Sequence, residues 1–248
     1  MQSLYAINLQ ILLLRAGGHV STLLYVVGFV VAMKFLPAPS PELTPQQIAQ
    51  VYIDNQGGIQ IGATLMMMGF SFWIPWGVAL ACWIRNSEGT DPPVLTWLWL
   101  CSTVICTVIG VVIAFFWAVA AFRPGEIDVQ ITQTLNDIAW LIFLLPWAPF
   151  SLWAVALSLA ILRDSSSDPV FPRWVAGLGF WAAFIFIPAM GPLFFKNGGF
   201  AWNGLLGMYL PVLVFWIWME VSTGYRIRAL QRQRTCMLGT SLGEEVAA

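Results

Sequence analysis

What restricts this chain most is where its charges are missing. Charged residues divide the 248-residue sequence into six long uncharged runs, 16–33, 55–84, 92–122, 138–162, 174–195 and 197–219. Each is near or above the roughly 18 to 20 residues that a helix needs to cross about 30 Å of hydrocarbon. In lipid a backbone has no water to bond, so its polar groups pair within a helix or around a closed barrel. The runs lack the period-2 alternation of barrel strands, which leaves helices. Composition agrees, with 9% of residues charged and 59% hydrophobic, far from the balance of a soluble domain. The expected fold class is therefore all-α integral membrane, with six transmembrane helices.

Basic residues give the orientation. Arg15, Arg85, Arg163, Arg173, Arg226, Arg228, Arg232 and Arg234 fall on one side of the spans, against Lys34, Arg123 and Lys196 on the other. The positive-inside bias makes the first side, with both chain ends, cytoplasmic. Three parts follow: an interfacial N-terminal segment, 1–15; a six-helix bundle, 16–223; and a tail, 224–248, basic at first and then disordered, since Gly239 to Ala248 is too small and acidic to bury a core. Met1 to Leu14 lacks the positive start and cleavage site of a signal peptide, so the first helix is expected to stay. Pro37, Pro39, Pro41 and Pro45 forbid a regular helix and predict an ordered outer loop. Thr44 and Gln47 have capping-box spacing, which starts a short helix toward Asp54. Trp83, Trp97, Trp99, Trp174 and Trp202 fall near span ends, where an amphipathic ring suits the interface.

The spans echo one another. Val78-Ala79-Leu80, Arg85 and Asp91-Pro92-Pro93-Val94 close the second span, while Val155-Ala156-Leu157, Arg163 and Asp168-Pro169-Val170 close the fourth. Their centres carry Pro75-Trp76 and Pro146-Trp147. Three helical hairpins in tandem is the economical description; the alternative is that six helices with turn-rich loops echo by chance.

The strings Asp168-Pro169-Val170-Phe171-Pro172-Arg173-Trp174-Val175-Ala176-Gly177-Leu178 and Phe194-Phe195-Lys196-Asn197-Gly198-Gly199-Phe200-Ala201-Trp202-Asn203-Gly204-Leu205-Leu206-Gly207, with the loop Pro37 to Asp54, carry a resemblance. Over about residues 20–222 the chain resembles a group of bacterial six-helix integral membrane proteins that have no assigned activity. The resemblance implies the topology and a bacterial inner-membrane location, and it brings no residue roles.

Chemistry is sparse. His19 is the only histidine, too few ligands for copper, di-iron or bis-histidine haem sites. With neither CxxC nor GxSxG, no metal, cofactor or catalytic residue is expected. A net charge of −1, with no basic run outside the tail, gives nucleic acid nothing to bind. Gly58 to Gly62, Gly177 to Gly179 and Gly204 to Gly207 read as helix contacts.

Two carboxylates near the ends of spans invite attention because acid in a membrane is costly. Glu220 has Arg226 and Arg228 in reach along its helix. Asp137 either complements the dipole at its helix start or organises an outer polar cup. That cup collects Asp54, Asn55, Asn136, Asp137 and Asn203 opposite Lys34, Arg123 and Lys196, above an interior of Trp and Phe. Pro75, Pro146, Pro149, Pro188, Pro192 and Pro211 interrupt helices at membrane depth and open space there. Met66 to Met68, Phe70, Phe72, Trp73 and Trp76 are the expected soft lining. The first functional expectation is binding or passage of a hydrophobic or amphipathic small molecule. The second is an accessory or scaffold subunit, partnered by membrane lipid, another copy or another membrane protein; the third is an intramembrane enzyme.

Overall fold

A computed structural model describes residues 3–247, and side chains as far as Gly239. The residues from Gly239 to Ala247, expected to be disordered, continue the last helix. Six helices are long and apolar enough to cross a membrane: α1 (Leu4–Ala32), α3 (Gln56–Glu88), α4 (Val94–Ala120), α5 (Val129–Arg163), α6 (Arg173–Leu193) and α7 (Leu205–Gly239). A short helix, α2 (Pro45–Asp54), lies in the loop after α1, and its Thr44/Gln47 capping box is formed as the sequence predicts. The spanning helices pack in chain order, α1 on α3, then α4, α5, α6 and α7, and α7 returns to α1. Short connections force such antiparallel neighbours, and the result is a closed all-helical bundle. One end carries Arg85, Arg163 and Arg173 and is here the arginine end; the other, covered by α2, is the lid end.

Arg15 does not end a separate first helix. α1 passes through it without a break, because an arginine favours helix and this one is exposed, so its charge can reach outward along its stem. Ile7, Ile11 and Leu14 are buried on the opposite side, and this part of α1 packs on α3 and α7.

The arginine half is closely packed. Trp76 (α3), Trp99 (α4), Trp153 (α5) and Trp218 (α7) are buried together, and all six pairs of rings lie 5.3–6.3 Å apart between centroids. Trp76 Nε1 donates to Thr223 Oγ1 at 2.8 Å, and Trp99 Nε1 to the Gly77 carbonyl at 2.7 Å. Missing side chains permit the approach. A Cβ on Gly17 would meet Trp76 Cβ at 2.1 Å, and one on Gly179 would meet Ser158 Oγ at 2.1 Å. Trp99 thus belongs to the core and not to the interface, whereas Trp97, two positions earlier on the same helix, is 61% exposed.

At the lid end, polar side chains finish the helices. Asn55 Nδ2 donates to the carbonyls of Ala32 and Met33, both at 2.9 Å, and Gln60 Nε2 to that of Ala121 at 2.8 Å. These are C-terminal carbonyls left without a partner inside their own helices. Gly62 seats α3 on α1, since a Cβ there would lie 2.5 Å from the Gly28 carbonyl. Gly177 has open space, and Gly204 and Gly207 face their own loop, so only the first of the three expected glycine contacts joins helices through both of its positions.

Candidate functional site

Between the packed half and the lid, α1, α3, α5, α6 and α7 each carry an irregular stretch. α3 is interrupted at Phe72, where the Pro75 ring displaces the carbonyl four residues earlier. α5 breaks at Leu145–Pro146, and α6 tightens into a 3-10 turn over Ile187–Leu193 that holds Pro188 and Pro192. α7 begins as a π-helical turn, Leu205–Tyr209, just before Pro211. α1 is π-helical twice, over Ala16–Val20 beside the tryptophan cluster and over Val26–Ala32. Interruptions hold helices apart, and here they surround an apolar cavity.

The cavity is lined by Tyr25, Phe70, Trp73, Gly110, Ile113, Phe143, Leu144, Trp147, Phe150, Phe186, Ala189, Pro211, Val212, Phe215 and Trp216. Each break has lining residues beside it: Phe70 and Trp73 flank Phe72, Leu144 and Trp147 flank the α5 break, and Phe186 and Ala189 begin the 3-10 turn. About 70 Å³ is open to the centres of water-sized molecules, and the whole recess with its open part holds about 570 Å³. An apolar cavity of roughly 150 Å³ is enough to take up benzene, about twice the volume that this one offers. Trp73 is 2% exposed and its Nε1 has no acceptor among the described residues. A ligand oxygen is the partner such a donor lacks. Of the expected lining, Phe70 and Trp73 are present, Trp76 belongs to the tryptophan cluster, and Met68 is half exposed.

Above the cavity the lid is fastened by hydrogen bonds. Trp202 Nε1 donates to the Pro39 carbonyl at 2.7 Å, Ala38 N to Tyr209 Oη at 3.2 Å, and Tyr52 Oη to Asn136 Oδ1 at 3.1 Å. Trp202 stacks on Trp140. Asn136 is buried, and its Nδ2 donates to Asp137 Oδ1 at 3.1 Å. Burial, and then the charge of Asp137, push the Tyr52 phenol above its ordinary range.

The expected outer cup is brought together in part. Asn136 and Asp137 meet, and the charge of Lys196 reaches Asp137. Asn203 is half-buried nearby in sequence to the lid anchor Trp202. Arg123 is exposed with its guanidinium over the Phe122 ring, and Asp54 is exposed and accepts from Gln50 Nε2 at 2.6 Å. Asp137 does not line the cavity; it lies seven residues, about 10 Å at 1.5 Å per residue, from Leu144. Tyr52 is the lid contact that sequence reasoning missed. Its signal was the buried stripe Ile48, Ala49 and Tyr52, which has helical spacing on one face.

Toward the arginine end the structure corrects one pairing. Glu220 meets neither Arg226 nor Arg228. Its Oε2 lies 2.7 Å from His19 Nδ1, and its Oε1 accepts from Thr22 Oγ1 at 2.5 Å. Arg226 is 5% exposed and donates to Gln10 Oε1 at 2.9 Å, so of the four tail arginines only Arg228, Arg232 and Arg234 are exposed. Glu88, also buried, accepts from the backbone N–H groups of Leu95 and Thr96 and so caps the first turn of α4. In comparisons with protein families, curated proteins and solved structures, none matches this chain.

Proposed function

We propose that this chain is a multi-pass protein of the bacterial cytoplasmic membrane that binds a slender apolar molecule, or the apolar part of an amphipathic one, in its central cavity. The observation that carries the reading is the convergence of helix interruptions on that cavity. Interruptions at membrane depth cost backbone hydrogen bonds, and proteins tolerate them where they line a site. The lining is almost wholly aromatic and aliphatic, with Trp73 Nε1 as a free donor for one oxygen. Asn136, Asp137 and Tyr52 above it suit a polar head. Eight basic residues against three favour a cytoplasmic arginine end.

Native mass spectrometry of the gently purified protein tests the reading. Wild type should retain an apolar adduct, and Ala189→Leu, which grows a side chain into the cavity, should lose most of it while its thermal unfolding moves by no more than about 1 kcal/mol. A wild type free of any adduct, or an adduct indifferent to Ala189→Leu, overturns the proposal.

A further inference from the structure

His19, Thr22 and Glu220 form a polar site on the outside of the bundle, where α1 meets α7. His19 keeps 51% of its side chain exposed and Glu220 32%. Its depth follows from counting residues. Glu220 is eight residues from Arg228, about 12 Å along α7, and His19 is thirteen from Ala32, about 20 Å along α1. The pair therefore lies within both spanning helices, one turn from Arg15 on α1 and about 12 Å from Arg228 on α7. Around it the surface is oily: Leu12, Leu23, Leu213 and Ile217 are 62%, 60%, 58% and 44% exposed. They sit at helical spacing from His19 on α1 and from Glu220 on α7.

Water would satisfy an exposed histidine and carboxylate on a soluble surface, but hydrocarbon cannot. Within the protein His19 uses only Nδ1, and Nε2 has no partner among the described residues. The carboxylate oxygens accept one bond each and can accept more.

We propose that this site pairs with the same site on a second copy of the chain. A bilayer holds two copies in the same orientation and at the same depth, so a two-fold axis along the membrane normal sets His19 of one opposite Glu220 of the other, and the reverse. Such an interface is self-complementary. Nε2 donates when the ring is charged, and the facing site offers it the lone pairs of the Glu220 carboxylate. An unrelated partner helix would have to match both depth and polarity, whereas a second copy matches them by construction. Arg15, one turn nearer the arginine end and exposed, reaches away toward the headgroups. This proposal is independent of the cavity.

Single-molecule subunit counting in liposomes, over a dilution series of protein in lipid, tests it. Wild type should be dimeric, and His19→Ala and Glu220→Ala should each raise the protein-to-lipid ratio needed for dimers by tenfold or more, with the helical content retained. A second readout leaves the polar site untouched: with Cys82, Cys101, Cys106 and Cys236 replaced by Ala, Leu23→Cys should give a disulfide-linked dimer on oxidation, and Val108→Cys on the far helix α4 should not. Monomers at every dilution, dimers indifferent to both alanine variants, cross-linking through Val108→Cys alone, or a different membrane protein bound at Leu23→Cys would each overturn it.

Discussion

The two halves of the bundle are built from the same kinds of residue and pack differently. Tryptophan and phenylalanine fill both. In the arginine half, Gly17, in a π-helical stretch of α1, with Gly77 and Gly179 lets the helices close around Trp76, Trp99, Trp153 and Trp218. In the lid half, prolines interrupt α3, α5, α6 and α7, and similar aromatics line a space. Aromatic content therefore does not decide between core and cavity. The backbone beside it does, through glycine at contacts or proline at breaks. Lipid is as apolar as leucine, so between helices in a membrane this packing is itself a main source of stability.

Gly17→Leu should make the contrast plainest. The new Cβ would start 2.1 Å from Trp76 Cβ and 2.5 Å from the Phe72 carbonyl, and α1 has no room to move while Gly18 is held against Thr223. Overpacking of this kind costs about 3 kcal/mol or more, and the outcome expected is loss of monodisperse protein in a detergent-stability screen. Normal yield and an unchanged melting temperature would show that the arginine half is looser than its distances say.

A pair of truncations sharpens the comparison at smaller amplitude. Trp153→Ala should destabilise by about 3 kcal/mol, the low end for such a change because no transfer out of water is involved. Phe150→Ala, one turn away and beside the cavity, should cost about half as much, since its ring already faces open space. Equal losses, measured by thermal unfolding in the same detergent, would erase the distinction between the halves.

Much of this was legible. Charge-free runs located every spanning helix, and prolines located most breaks, because both effects act within one segment. What escaped depends on rotation and on partners far along the chain. Trp97 and Trp99 look alike in sequence, yet one faces outward and the other fills the core, a difference set by the phase of α4. Glu220 has arginines close along its own helix, while its partner His19 is 201 residues away. Pro75-Trp76 and Pro146-Trp147 are matched in sequence, but Trp76 is wholly buried in the cluster and Trp147 lines the cavity. For the site, the Asn136–Asp137 pair was visible as polarity before an uncharged run, but α5 begins two turns earlier, at Val129 with Asp128 as its cap, so Asp137 does not sit at a helix start and the dipole reading fails. Gly110 and Ala189 line the cavity without any chemical signature, since what they contribute is space.

The smallest expected effect concerns the lid, and it separates the lid from everything beneath. Tyr52 donates its hydroxyl to Asn136, and removing it with Tyr52→Phe should cost about 1 kcal/mol, the usual worth of one neutral hydrogen bond. Its pH dependence gives a second signature. Burial raises the phenol's pKa in the closed lid above its value in the open one, so the closed lid holds its proton where the open one has lost it. Stability from this group is complete below the ordinary tyrosine pKa of about 10 and declines as pH rises beyond it. Hydrogen exchange of α2 should therefore quicken in wild type between about pH 10 and 11, after correction for intrinsic base catalysis. Tyr52→Phe should exchange faster at neutral pH and show no such added rise. If both proteins gain exchange equally in that window, some other group fastens the lid, and the Tyr52–Asn136 contact is incidental to it.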